Sequence, residues 1–129
     1  MLNNQRVFAT KKKLKNAFDN KNFANYDSIN EVTNKLQNLK NSTKLDIKHY
    51  FIYESNMYFV SEYIEYGNLT DFLKENILIT ESKAKIIIKQ VIDFIRFCHY
   101  RCIKHNNLHP NNILFVDDRY NKIKVNIKL

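Results

Sequence analysis

Eleven consecutive residues, His105-Asn106-Asn107-Leu108-His109-Pro110-Asn111-Asn112-Ile113-Leu114-Phe115, hold the densest set of groups able to do chemistry in this 129-residue chain. Two imidazoles can carry protons near neutral pH. Around them stand amides, and no carboxylate. An amide oxygen accepts hydrogen bonds, but it is uncharged and does not take a proton from an alcohol. Upstream, Cys98 and Cys102 combine with His105 and His109 into a C-x3-C-x2-H-x3-H string. That spacing reads as a zinc site, because ligands at i and i+4 on a helix end point the same way. The competing reading is a buried helix face followed by a loop that carries histidines for another purpose. An intracellular setting then predicts free thiols.

The elements that must position this loop follow from apolar spacing. Thr80 can cap a long helix from Glu81 to about Tyr100, with Ile87, Ile88, Val91, Ile92, Ile95 and Cys98 on its buried side. After the loop, Ile113 to Val116 and Ile123 to Ile127 read as short strands joined by a polar turn, Asp117 to Asn121. Further upstream, Gln5 to Lys13 reads as a strand and Asn16 to Asp27 as a polar connection. Ser28 to Lys40 reads as a helix with Ile29, Val32, Leu36 and Leu39 at helical spacing, capped by Asp27 or Ser28. Leu45 to Tyr53 and Met57 to Tyr63 are predicted strands around the turn Glu54-Ser55-Asn56, and Asn68 to Glu75 a short helix. The only glycine is Gly67, so other turns must rely on Asn, Asp and Ser.

Composition narrows the classes. An apolar share of 44% with 13% aromatics predicts a folded domain. The apolar runs are too short to span a membrane, and Met1 to Thr10 lacks a signal-peptide core. A cytoplasmic or nuclear location is the expectation. The net charge of +8 is concentrated in residues 1–50, which carry ten Lys/Arg against four Asp/Glu. Such a surface suits nucleic acid or another polyanion. The plainer reading is a general abundance of Lys, Asn and Ile.

The order β, α, ββ, α, α, loop, β, β resembles a protein kinase domain from its third strand to its magnesium loop, over essentially the whole chain. His105, Leu108, Pro110 and Asn112 fit the family's His-Arg-Asp-Leu-Lys-Pro-x-Asn loop, with Asn107 at the Asp. Phe8-Ala9-Thr10-Lys11 resembles the Val-Ala-Ile-Lys strand. Tyr58-Phe59-Val60-Ser61-Glu62-Tyr63-Ile64 resembles the hinge between lobes, and Tyr66-Gly67-Asn68-Leu69 the turn beyond it. His99 fits a histidine near the end of the family's long helix. The resemblance thus implies an α+β, partial protein-kinase-like fold. Residues 1–61 would be small lobe without the glycine-rich loop, 62–67 hinge, and 68–129 the start of the large lobe.

The same resemblance assigns roles. Ala9 would pack on adenine and Lys11 would contact ATP phosphates, with Glu31 holding Lys11 in place. Ser61 would be a small gatekeeper, and backbone groups near Glu62 and Ile64 would bind adenine. Asn112 would be the magnesium-ligating Asn, and Asn126 stands where the second magnesium ligand, an Asp, is expected. A one-residue slip would place Ile127 there instead. His109 replaces the loop Lys, and Pro110 fits the Ser/Thr-specific loop better than the tyrosine-specific one.

Magnesium favours anionic oxygen ligands, and Asn107, Asn112 and Asn126 are neutral. The expectation is a kinase-like domain that takes ATP without much help from magnesium, transfers no phosphate, and acts as a scaffold or regulator. The large-lobe helix, lacking the segments that pack on it in the family, predicts marginal stability or a protein partner. The alternatives are a fragment of an active Ser/Thr kinase and a basic nucleic-acid-binding protein. For the last, no recognition motif is present.

Overall fold

The computed structural model describes the backbone of residues 7–13, 24–54, 56–76 and 78–127, and side chains from residue 30 onward within these ranges except Val32. The chain divides into two compact units, residues 1–40 with 46–63, and residues 41–45 with 64–129. A linear division at residue 61 does not anticipate that residues 41–45 join the second unit.

The first unit is a three-stranded antiparallel sheet in the order β1-β3-β2, with one helix. β1 (Val7–Lys13) pairs with β3 (Asn56–Glu62), placing Ala9 opposite Val60 and Lys11 opposite Tyr58. β2 (Ile47–Tyr53) forms a hairpin with β3, with an irregularity between Ile47 and His49. Glu54 takes φ 45°, and the Asn56 side-chain amide donates to the Glu54 carbonyl at 2.8 Å. Asn56 therefore opens β3, where the sequence predicted a turn residue. Helix α1 (Ala24–Asn38) begins inside the stretch predicted as a polar connection. Asp27 and Ser28 lie within it and cannot cap it. Polar residues without a regular apolar repeat give little signal of a helix start, so the sequence pattern places it too late. Leu36, Thr33, Ile47 and Met57 are buried here, and Gln37 donates to the Lys48 carbonyl at 3.1 Å, tying α1 to β2.

The second unit is built on α3 (Glu81–Tyr100). Thr80 caps it as predicted, its hydroxyl accepting the Lys83 N–H at 3.2 Å. Its buried residues are Ile87, Val91, Phe94 and Cys98, a single stripe at i, i+4, i+7 and i+11. Ile88 and Ile92, predicted on the buried side, are each 51% exposed, and Phe94 fills the core instead. Helix α2 (Leu69–Glu75) starts at Asn68, whose side chain accepts the Asp71 N–H at 2.9 Å. Strands β4 (Ile113–Phe115) and β5 (Ile123–Val125) pair antiparallel and bury Ile113, Phe115, Ile123 and Val125.

That ribbon is flanked on both sides. Leu45 N–H donates to Val125 O and Val125 N–H to Thr43 O, while Phe115 N–H donates to Gly67 O. Gly67 sits at φ 73°, a left-handed conformation that favours glycine. Phe72, Phe115 and Tyr120 form a three-ring cluster with centroids 4.8–5.1 Å apart. Each buried aliphatic or aromatic side chain contributes about 1.5–3 kcal/mol relative to exposure, so this core anchors the loop that β4 terminates. Among the described residues no helix is long and apolar enough to cross a membrane.

Candidate functional site in the loop between α3 and β4

Helix α3 ends in a Schellman motif. Ile103 N–H donates to Cys98 O at 3.0 Å and Cys102 N–H to His99 O at 2.9 Å. Cys102 takes the left-handed position at φ 57°, where glycine is the usual residue of such a cap. The chain turns again at Asn106, φ 61°, a residue type that tolerates this conformation. These two reversals bring His105 back under the loop, where it is 5% exposed.

His105 then closes a ring of hydrogen bonds. Its Nδ1 accepts the Asn107 N–H at 3.2 Å, and its Nε2 lies 2.9 Å from the Asn126 carbonyl. An accepting Nδ1 requires the Nε2–H tautomer, so Nε2 is the donor to Asn126. Asn126 N–H donates to Asn112 O at 2.8 Å, and the Asn112 side-chain amide donates to Asn107 O at 2.8 Å. Residues 105, 107, 112 and 126 are thereby locked together by neutral groups. Burial lowers the His105 pKa below 6.5, the carbonyl of Asn126 opposing in part. The neutral imidazole that the ring needs is thus the favoured form.

The predicted residues of this unit converge only in part. Asn107 and His109 are exposed, whereas Asn112 is 2% exposed. His109 caps a 3-10 turn at residues Pro110–Asn112, its Nδ1 accepting the Asn111 N–H at 3.2 Å. Thr70 holds the same turn from α2 by a hydrogen bond to Asn111 Oδ1. The zinc reading does not find its geometry. Cys98 is fully buried and Cys102 exposed, and no three His, Cys, Asp or Glu side chains group as metal ligands among the described residues.

In the first unit, Ser61 is 6% exposed and its hydroxyl donates to Glu62 O at 3.3 Å. Glu62 is clamped to Asp46: its N–H donates to Asp46 O at 3.1 Å and its carboxylate accepts the Asp46 N–H at 3.0 Å. Glu31, expected to hold Lys11, pairs with Lys35 at 2.8 Å on the exposed side of α1, and this lysine lowers its pKa. The side chains of Ala9 and Lys11 lie outside the described residues. Ile64 is half-buried and opens the second unit's main segment.

Sequence reasoning missed three positioning residues. Asn106 makes the turn after His105. Gln90, in the middle of α3, accepts the Ile123 N–H at 3.1 Å and donates to Asn121 O at 2.7 Å, docking β5. The Lys83 ammonium donates to the carbonyls of Arg119 and Tyr120 at 2.8 and 3.1 Å and to the Asn121 side chain. Only the polar Gln90 within an apolar helix was a sequence signal.

One feature tests the fit of magnesium, which the kinase resemblance implies. Asn112 Oδ1 is buried with no hydrogen-bond partner, so it is an acceptor with unused capacity. A single neutral oxygen does not meet the ion's preference for anionic ligands in octahedral array. Asn126 adds another neutral amide and Asn107 a third. The donor set therefore does not fit a tightly held Mg²⁺.

A kinase-type loop between a long helix and a short antiparallel ribbon defines the class. The model of the protein kinase domain matches residues 1–127, and the chain belongs to that family. The probable serine/threonine-protein kinase fhkE of Dictyostelium discoideum is 30% identical over 99 residues, 77% of this chain and 14% of that relative. The crystal structure of Rad53 1-466 in complex with AMP-PNP matches with TM-score 0.72 and 26% identity, covering 78% of this chain and 27% of that one. A structure of the Rad53 kinase domain and SCD2 matches with TM-score 0.66 and 27% identity, covering 77% and 37%. The fold is a partial protein-kinase fold, and the chain spans about a seventh of the fhkE relative's length.

Proposed function

We propose that this domain binds a nucleotide without a tightly held magnesium ion, transfers no phosphate, and acts through a protein partner. The observation that carries the reading is the amide at positions 107 and 126, beside the buried, unpartnered oxygen of Asn112. Phosphoryl transfer depends on positioning and on neutralising charge, with metal ions supplying much of the second. An exposed amide at position 107 orients a hydroxyl but cannot take its proton. Loss of one preorganised electrostatic contact costs about 3 kcal/mol, and such losses need not add. Nucleotide binding draws support from the complex of Rad53 with AMP-PNP, which shares the fold.

Thermal shift with ATP is the test. A rise in Tm with ATP, unchanged by adding Mg²⁺, is expected, together with no transfer of labelled phosphate to itself or to a generic basic protein. Transfer that disappears in Lys11→Ala would overturn the reading. The second reading, a fragment of an active Ser/Thr kinase, is favoured by the small share of its relatives that the chain spans. An in-frame glycine-rich loop encoded upstream would select it.

A further inference from the structure

Three consecutive lysines, Lys11, Lys12 and Lys13, end strand β1. Successive strand residues lie on opposite faces of a sheet, and residues directly opposite on neighbouring strands share a face. The register therefore divides this run. Lys11 stands in one row with Tyr58 and Phe51, and Ala9 in another with Val60 and His49. Tyr58 and Phe51 stack with ring centroids 5.1 Å apart, and Phe51 and His49 are exposed.

The other face holds Lys12. It stands opposite Met57, while Thr10 shares a row with Phe59 and Tyr50, and Phe8 with Ser61 and Ile47. Met57, Ser61 and Ile47 are buried. The Tyr50 hydroxyl donates to Asn34 Oδ1 of α1 at 2.9 Å, so α1 lies on this face. The kinase resemblance gives adenine packing to Ala9, phosphate contact to Lys11 and the gatekeeper's place to Ser61. Those three roles require one face. The register puts Ser61 on the face of Phe8, Thr10 and Lys12, opposite to that of Ala9 and Lys11. A shift of one residue exchanges every such assignment. Glu31, the carboxylate expected to hold Lys11, pairs with Lys35 at 2.8 Å, which agrees with Lys11 standing on the far face from α1.

We infer that Lys12, the one lysine of this run on the face shared with Ser61 and α1, is the residue of β1 that supports a polyphosphate nucleotide. Its row and that of Ser61 are four residues apart along β1, about 13 Å. A base at the Ser61 end and anionic phosphates toward the Lys12 end suit those two positions. The inference rests on the nucleotide part of the reading above and is independent of the partner part.

The test is ATP titration of the full chain without Mg²⁺, followed by thermal shift, for the wild type, Lys11→Ala, Lys12→Ala and Lys13→Ala. Each variant removes one positive charge from neighbouring positions, so a general electrostatic field weakens ATP equally in all three. Lys12→Ala should raise the apparent Kd for ATP at least about tenfold, the size of one lost charge-assisted contact, and the other two by less than about twofold. Adenosine, which lacks phosphate, should bind all four alike. Lys12→Gln keeps most of the aliphatic stem and should lose ATP as Lys12→Ala does. Circular dichroism and the Tm of the unliganded chain check that each variant folds. Losses no larger from Lys12→Ala than from Lys11→Ala, whether equal, reversed or absent, overturn the inference and leave nucleotide binding standing. No ATP-dependent shift in the wild type overturns both.

Discussion

The loop at residues 105–112 and the turn at residues 117–122 bracket the same short strand, β4, yet they are held by opposite means. The turn uses charge. Asp117 accepts the N–H groups of Asn121 and Lys122 at 2.9 and 3.0 Å, and the Lys83 ammonium binds three oxygens across it. The loop uses neutral groups throughout, in a ring that leaves one amide oxygen of Asn112 buried and unpartnered. In a kinase family member, charge would be expected where phosphate is handled. Here charge shapes the connection that builds the ribbon, while the loop at residues 105–112 is held by neutral groups.

The sharpest way to break this comparison is to put charge back into the loop. Asn112→Asp removes the donor to Asn107 O and sets a carboxylate at a 2% exposed site. It should destabilise the domain by about 3 kcal/mol or more at pH 7. The loss should shrink on acidification, as the introduced acid neutralises. Chemical denaturation at two pH values measures it, and an unchanged midpoint would show that the ring does not hold the loop.

A smaller effect is expected from removing charge from the turn. Lys83→Met deletes hydrogen bonds to three acceptors at a half-buried position. About 1–2 kcal/mol should be lost, reduced from the value for buried charge-assisted bonds by solvent. Amide exchange at residues 119–122 should quicken, while that at Asn107 stays as it was.

The subtlest contrast is in pH. Burial depresses the His105 pKa below 6.5. Its contribution is therefore complete above 6.5 and is lost as pH falls through that value toward the folded-state pKa, because the unfolded chain then binds the extra proton. Protonation also removes the Nδ1 acceptor of Asn107 N–H. The Asp117 pKa is lowered below 3.8, first by the Lys122 N–H and further by that of Asn121. Its contribution persists above 3.8 and is lost only as pH falls through its depressed value. Backbone amide shifts should thus change at Asn107 in mild acid, and at Asn121 and Lys122 only in strong acid. Simultaneous change at all three would erase the distinction between the two segments.

Much of the fold was legible because it rests on local rules. Thr80 before an apolar repeat, Asn68 before Leu69 and Phe72, and Gly67 in a turn each have a mechanism that acts within a few residues. The start of α1 at Ala24 was not legible, since its first turns are polar and carry no cap signal. The kinase resemblance rested on residue types and their order, and the family match supports it. The ring was hidden because it joins His105 to Asn126 across 21 residues, through backbone groups that every residue possesses.

What the chain's order of residues settled alone was chemical identity: no rearrangement of the backbone can give Asn107, Asn112 or Asn126 a negative charge. Tertiary structure decided which atoms those amides meet, and which stripe of α3 is covered. Side-chain pattern lists the faces able to be buried, but burial requires a neighbour. Among the described residues, the packing of α3 gave one to Ile87, Val91, Phe94 and Cys98 and left Ile88 and Ile92 about half exposed.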